Sequence, residues 1–240
     1  MVLVTRSRIL FVAALAAAFL LLLGLAGCSS NKAAETTSTG TTQTGTTGQA
    51  QSAQEESAAT SEEGALYTPS YQPTGKETAV FKTTQGDITV ELYGKDAPIH
   101  VGNFVELVRK GFYNGTKFHR YEPGFVIQGG DPQTQKLSAD EVKQAAQTGN
   151  PPLGTGGPGY VIKGEFDPSK NPRKHEEGAL GMARGGSPDS AGSQFYFALQ
   201  PLPQLDGNYT VFGKITKGLD VMKKLRIGDE IKSVEIQNAQ

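Results

Sequence analysis

The chain has 240 residues, room for one domain with accessories, and its 23 Lys and Arg against 24 Asp and Glu leave a formal net charge of −1. That balance supplies no strong field to draw nucleic acid or an acidic membrane surface, and no nucleic-acid partner is expected. With 3 His, 1 Cys and no Trp, neither a structural zinc site nor a disulfide framework is expected.

Arg6 and Arg8 precede an apolar run over 9–25, and small residues then lead to Cys28. This basic, apolar, small order is that of an export signal. The run is marginal as an uncleaved anchor, because spanning a bilayer takes about 20 apolar residues. Leu25-Ala26-Gly27-Cys28 resembles the lipobox of bacterial lipoproteins. The resemblance implies a signal peptide over 1–27 that is removed, acylation of the Cys28 thiol, and a protein held at the extracytoplasmic face of the cell membrane. Each buried CH₂ of an acyl chain contributes about 0.8 kcal/mol, so more than one chain anchors stably.

Residues 28–64 are almost all Thr, Ser, Gly, Gln, Ala and Glu. Such a stretch buries too little apolar surface to offset its ordering entropy and reads as a flexible tether. Leu66, Tyr67, Pro69, Tyr71 and Pro73 mark an extended lead-in over 65–77.

The folded domain is expected over 78–240. Strands over 80–84 and 87–93 flank Gln85-Gly86 as a hairpin, with Ile88, Val90 and Leu92 alternating with polar residues. Asp96-Ala97-Pro98 starts a helix whose apolar face is Val101, Phe104, Val105 and Val108, and Lys110-Gly111 closes it. A polar stretch over 132–152 reads as a surface insertion, with a short helix after the capping box at Ser138-Ala139-Asp140-Glu141. Further strands are expected over 125–128, 160–163, 179–183, 195–199, 210–215 and 231–236, and a second main helix over 219–225. The many short strands and few helices point to a mainly β fold, a closed antiparallel barrel capped by two α-helices, which leaves no sheet edge.

Three segments carry a family resemblance. Phe118-His119-Arg120-Tyr121-Glu122-Pro123-Gly124-Phe125-Val126-Ile127-Gln128-Gly129-Gly130-Asp131 resembles the central signature of the cyclophilins. Gly181-Met182-Ala183-Arg184 with Gly192-Ser193-Gln194-Phe195-Tyr196-Phe197 is similar to a second family motif. Leu205-Asp206-Gly207-Asn208-Tyr209-Thr210-Val211-Phe212-Gly213 is similar to a third, and Asn103-Phe104 also fits. The resemblance implies an eight-stranded antiparallel barrel with a helix at each end, and isomerisation of X-Pro bonds in proteins and peptides. Carried over by position, Arg120 is the catalytic residue. Phe125, Val126, Tyr196 and Leu205 line the proline pocket, and Gln128 hydrogen-bonds the substrate backbone. His119, Ala183, Arg184, Gly185, Gln194 and Tyr209 border the groove.

The residue types suit such chemistry. Rotation about X-Pro faces a barrier of about 18–20 kcal/mol from amide resonance, and no bond is made or broken, so neither cofactor nor metal is needed. In the twisted state the proline nitrogen regains a lone pair, and a fixed cationic donor aimed at it lowers that state selectively. Arg120 offers several donors and a charge that does not titrate. By type alone it would be a surface ion-pair partner, and it is the motif that singles it out. His119 invites an acid–base reading, but rotation transfers no proton, so a groove-wall role is expected.

Other signals lead elsewhere. The glycine-rich stretch over 154–159 lacks the Lys-Ser/Thr ending of a phosphate loop and reads as a tight loop. Asp131, Glu165 and Asp167 have no metal or glycosidase spacing, and His100 and His175 read as surface or helix-end residues. Gln204 stands where many cyclophilins carry Trp, which implies weak cyclosporin binding. Arg184 and Tyr209 replace an Asn and a His of eukaryotic members, and Tyr196 replaces a Phe. The partners implied are proline-containing segments of exported proteins. A non-catalytic proline-peptide module and an unrelated extracellular hydrolase are the alternatives. Arg120, Phe125 and Gln128 together disfavour the first, and the lack of a nucleophile–base or metal set disfavours the second.

Overall fold

The structure is a computed structural model that describes residues 64–238. The expected signal peptide, Cys28 and the tether as far as residue 63 lie outside the described residues. A strand β1 (Leu66–Tyr67) leads into the hairpin β2 (Thr78–Thr83) and β3 (Gly86–Leu92), then helix α1 (Pro98–Arg109). Two short strands, β4 (Thr116–Lys117) and β5 (Arg120–Tyr121), precede β6 (Val126–Gly129). A 3-10 turn (Pro132–Lys136) and α2 (Ala139–Thr148) follow, then β7 (Val161–Ile162), β8 (Ala179–Met182) and β9 (Phe195–Ala198). A second 3-10 turn (Pro203–Leu205), β10 (Val211–Lys217), α3 (Leu219–Lys224) and β11 (Glu230–Gln237) complete the order.

Nine strands form one antiparallel sheet in the order β4-β11-β2-β3-β10-β8-β9-β6-β5, while β1 and β7 pair in parallel. This corrects the expectation of eight strands closed into a barrel with two helices. The described sheet is a curled row of nine strands accompanied by three α-helices, and no ladder joins β4 to β5. The reason lies at Phe118-His119. The Phe118 amide donates to the Asp229 carbonyl at 3.0 Å, and the His119 amide donates to the Gln128 carbonyl at 3.0 Å. The chain changes neighbours within this dipeptide, so β4 and β5 sit at opposite ends of the row.

Period-two alternation sends side chains to two separate clusters. On one face Phe81, Ile88, Val90, Ile127, Phe195 and Phe197 meet Val101, Phe104 and Val105 of α1. Phe81 lies tilted 5.4 Å from Phe195 and Phe104 lies 5.2 Å from Tyr113, each pair adding about 0.5–1.5 kcal/mol beyond area burial. On the other face Val126, Ala179, Tyr196, Ala198, Leu202 and Val211 form a second cluster. Within β9, Phe195 and Phe197 therefore belong to the main core, and Tyr196 and Ala198 to the second cluster.

Remote carboxylates fasten α1. The helix has Pro98 in its first turn and no side-chain cap of its own. Glu165 takes that role, accepting from the Ile99 and His100 amides at 3.0 and 2.9 Å and contacting His100 Nδ1 at 2.7 Å. Toward the other end, Glu106 accepts from Tyr67 Oη at 2.6 Å and from the Ser70 and Tyr71 amides at 2.7 and 2.9 Å. The lead-in is thereby tied to the helix.

Candidate active site

In sheet register Arg120 lies beside Gln128, Gln128 beside Tyr196, and Tyr196 beside Gly181. These four positions stand abreast across β5, β6, β9 and β8, on the face of the second cluster. The Tyr196 ring crosses β8 at Gly181, where any Cβ would collide with the phenol. Above this row is a cavity of about 180 Å³. Phe125, Val126, Tyr196 and Leu205 form its apolar lining, Arg120 and Gln128 border it on the β5 side, and Ala183, Arg184 and Tyr209 complete it. It is a small apolar socket with a few convergent polar groups.

Arg120 is held but accessible. Its Nη1 donates to Gln128 Oε1 at 3.0 Å, and Nε and Nη2 donate to Glu122 Oε1 at 2.8 and 2.6 Å. The guanidinium carbon lies 5.8 Å from the Phe125 ring centroid, and the side chain remains 45% exposed. Because Arg only donates, the Gln128 carbonyl must face it, which turns the Gln128 amide toward Gln194 Oε1 at 2.9 Å. Gln194 Nε2 donates in turn to the Gly156 carbonyl at 2.7 Å. A hydrogen-bond chain thus runs from Arg120 as donor, through Gln128 and Gln194, to the glycine-rich loop.

Two further cavities adjoin the first. Gly185 and Gln194 line one of about 560 Å³ together with the glycine-rich loop. His119 lines another of about 440 Å³ below α2. Gln128 borders all three, and every residue expected from the sequence to be catalytic or substrate-binding lines at least one of them. Arg184 packs its guanidinium 4.7 Å from the Tyr209 ring centroid, and its Nε donates to the Asn208 carbonyl at 3.1 Å. His119 is buried, and that burial pulls its pKa below the ordinary imidazole value, so it is neutral at pH 7.

His100 and His175 are not surface residues: both are buried, each against a carboxylate brought from afar. His175 Nδ1 contacts Asp206 Oδ1 at 2.9 Å and its Nε2 contacts Tyr196 Oη at 2.8 Å. Asp206 and His175 therefore stand behind Tyr196, which lines the 180 Å³ cavity, a role sequence reasoning missed. It also missed Glu122, although residues two apart on an extended segment share a side, which was the available signal. The carboxylates considered for metal binding have separate duties. Asp131 accepts from the Gln133 and Gly154 amides at 2.8 and 2.6 Å, Glu165 caps α1, and Asp167 accepts from the Ser169 amide at 3.0 Å.

Residues 78–240 match the family described as cyclophilin type peptidyl-prolyl cis-trans isomerase. A peptidyl-prolyl cis-trans isomerase of Helicobacter pylori is 47% identical over 158 residues, covering 65% of this chain and 84% of that protein. Peptidyl-prolyl cis-trans isomerase B of Bacillus subtilis is 43% identical over 162 residues, covering 67% of this chain and 99% of that one. Among solved structures, a Cryptosporidium parvum cyclophilin crystallised in the presence of the dipeptide Ala-Pro superposes with a TM-score of 0.55 at 29% identity. That match covers 67% of this chain and 99% of the other. The curled antiparallel sheet, the groove on its outer face and these relatives agree, and the chain belongs to the cyclophilin-type peptidyl-prolyl cis-trans isomerases.

Proposed function

We propose that this isomerase is held by acyl chains on Cys28 at the extracytoplasmic face of the cell membrane, assists the folding of exported proteins, and turns X-Pro bonds through Arg120. The observation that carries the catalytic part is the guanidinium of Arg120 at the rim of the 180 Å³ cavity, fixed to Gln128 and beside Phe125. The prolyl ring sits in the apolar socket of Phe125, Val126, Tyr196 and Leu205, which immobilises one side of the rotating bond. Gln128 holds the substrate backbone on the other side. As the amide twists, the nitrogen becomes an acceptor, and Arg120 stabilises it more than it stabilises the planar amide. His119, Ala183, Arg184, Gly185, Gln194 and Tyr209 border the path of the peptide. The anchor rests on the lipobox-like Leu25-Ala26-Gly27-Cys28, and the reach on the low-complexity tether.

An isomer-coupled peptide assay on the full chain tests the mechanism. Arg120→Ala lowers kcat/KM by about 10²–10³-fold, the loss typical of one transition-state donor, while peptide affinity falls modestly. Equal rates in the two proteins would refute it. For the anchor, mass spectrometry of the mature protein is expected to find acylated Cys28 as its first residue, and an unmodified Cys28 would remove that part.

A further inference from the structure

The insertion is built to stay in place. Ser138 and Glu141 form the reciprocal capping box of α2, Gly149 closes the helix in the left-handed conformation, and Val142 and Ala145 are buried beneath it. Beyond Gly149 the chain doubles back through Pro152 and Leu153. The returning segment and α2 border the open cavity of about 440 Å³ on one side, with Ala145, Ala146, Pro152 and Leu153 as the wall. The floor is His119, Arg120 and Gln128. Arg120 and Gln128 also border the 180 Å³ cavity, so the two spaces share an edge. A peptide with its proline in the smaller cavity carries a neighbouring residue over the larger one.

Two features indicate what that neighbour meets. The wall bears no formal charge, and the only charge among the lining residues is Arg120, at the edge shared with the smaller cavity. His119 is 6% exposed, yet neither ring nitrogen has a hydrogen-bond partner among the described residues. Its Nε2 edge lies below Gly154, where even a Cβ would stand 3.5 Å away. Gly154, at φ +82°, lies over that edge, and neither ring nitrogen is accessible, so the ring offers the cavity no polar atom.

We propose that the space between α2 and β5 is a substrate subsite that takes an apolar side chain flanking the proline. The insertion thereby makes the isomerase selective for sequence on one side of the X-Pro bond. This rests on the reading of the Arg120 cavity as the proline site.

The test measures kcat/KM of the full chain on two peptide series, with Gly, Ala, Leu or Glu placed either before or after the proline. At one flank, Leu exceeds Gly by about tenfold, the scale of burying one aliphatic side chain in part. Ala146 is exposed on α2, so Ala146→Trp fills the cavity from the helix side and cuts that ratio to about twofold or less. Should this variant not fold, as judged by its thermal melt, Leu153→Gly removes the opposite wall and lowers the same ratio. A native protein indifferent to both flanks overturns the subsite, as does a ratio unchanged in a folded variant. Arg120→Ala at full speed would defeat the reading of the catalytic residue instead, and the flank ratio would still judge the subsite.

Discussion

Replacing Tyr196 by Phe restores the residue that sequence similarity suggests for this position, yet the structure makes it a destabilising change. Asp206 is an acceptor when ionised, so the His175 Nδ1 proton points to it across 2.9 Å. Burial lowers the His175 pKa, leaving the ring neutral at pH 7 with Nε2 as a lone-pair acceptor. Tyr196 Oη, 2.8 Å away, must therefore donate to it. Tyr196→Phe deletes that donor while His175 stays buried at 2% exposure, so an unsatisfied acceptor remains. The cost is about 1–3 kcal/mol. For a domain of this size about 2–4 °C is lost per kcal/mol, so the melting temperature falls by about 2–12 °C. Differential scanning calorimetry at pH 7.5 reads it. The pH dependence has a definite sign. A folded-state pKa below the unfolded one means that stability tied to neutral His175 is fully present above about 6.5 and drains away as pH falls below it. A Tyr196→Phe variant that melts at or above the native temperature would show that the Tyr196–His175 bond carries nothing.

Two further outcomes follow from other contacts. Burial opposes ionisation of Glu106, but hydrogen bonds from Tyr67, Tyr71 and Ser70 outweigh it and hold the carboxyl down at about 2. The lead-in is thus fastened above about pH 4.5 and released as pH falls from there toward 2, and Glu106→Gln loosens it by about 1 kcal/mol at neutral pH, a figure reduced for solvent screening. Hydrogen exchange at the Ser70 and Tyr71 amides measures this, and unchanged protection would contradict it. Gln204 is exposed next to the cavity residue Leu205. Gln204→Trp is expected to tighten cyclosporin binding at least about tenfold relative to the native chain by adding buried aromatic surface, and equal affinities would refute that.

What could be read from the sequence was what repeats locally. Ile88, Val90 and Leu92 announce their strand by alternation, Val101 to Val108 announce α1 by spacing, and Ser138 with Glu141 announces α2 by its cap. The groove was legible because its residues cluster in contiguous motifs, Phe118 to Asp131 above all. The two-residue strands β1, β4 and β5 were not legible, since two residues carry no period. Nor were the buried histidines. His100 finds Glu165 65 residues away and His175 finds Asp206 31 residues away, and a polar residue's burial depends on such a partner being delivered by the fold. The helix of the insertion could be foreseen, but its place over His119 and Arg120 is a tertiary fact with no local signature.

The arrangement around Arg120 bears on how a charged side chain can be both fixed and available. A guanidinium has five N–H donors, and three are committed here, two to Glu122 and one to Gln128. One N–H on each of Nη1 and Nη2 is left for a substrate. Glu122 lies half in solvent at 50% exposure, so its attraction is screened and does not cancel the positive charge on the cavity side. Gln128 is buried and constrained from its other end by Gln194, which makes it the stiffer of the two supports. The fork is thus oriented by neighbours on its outer edge and open on the inner one. Had Arg120 been buried in a closed ion pair, the same residue at the same place in the motif would have had nothing left to offer a twisting amide.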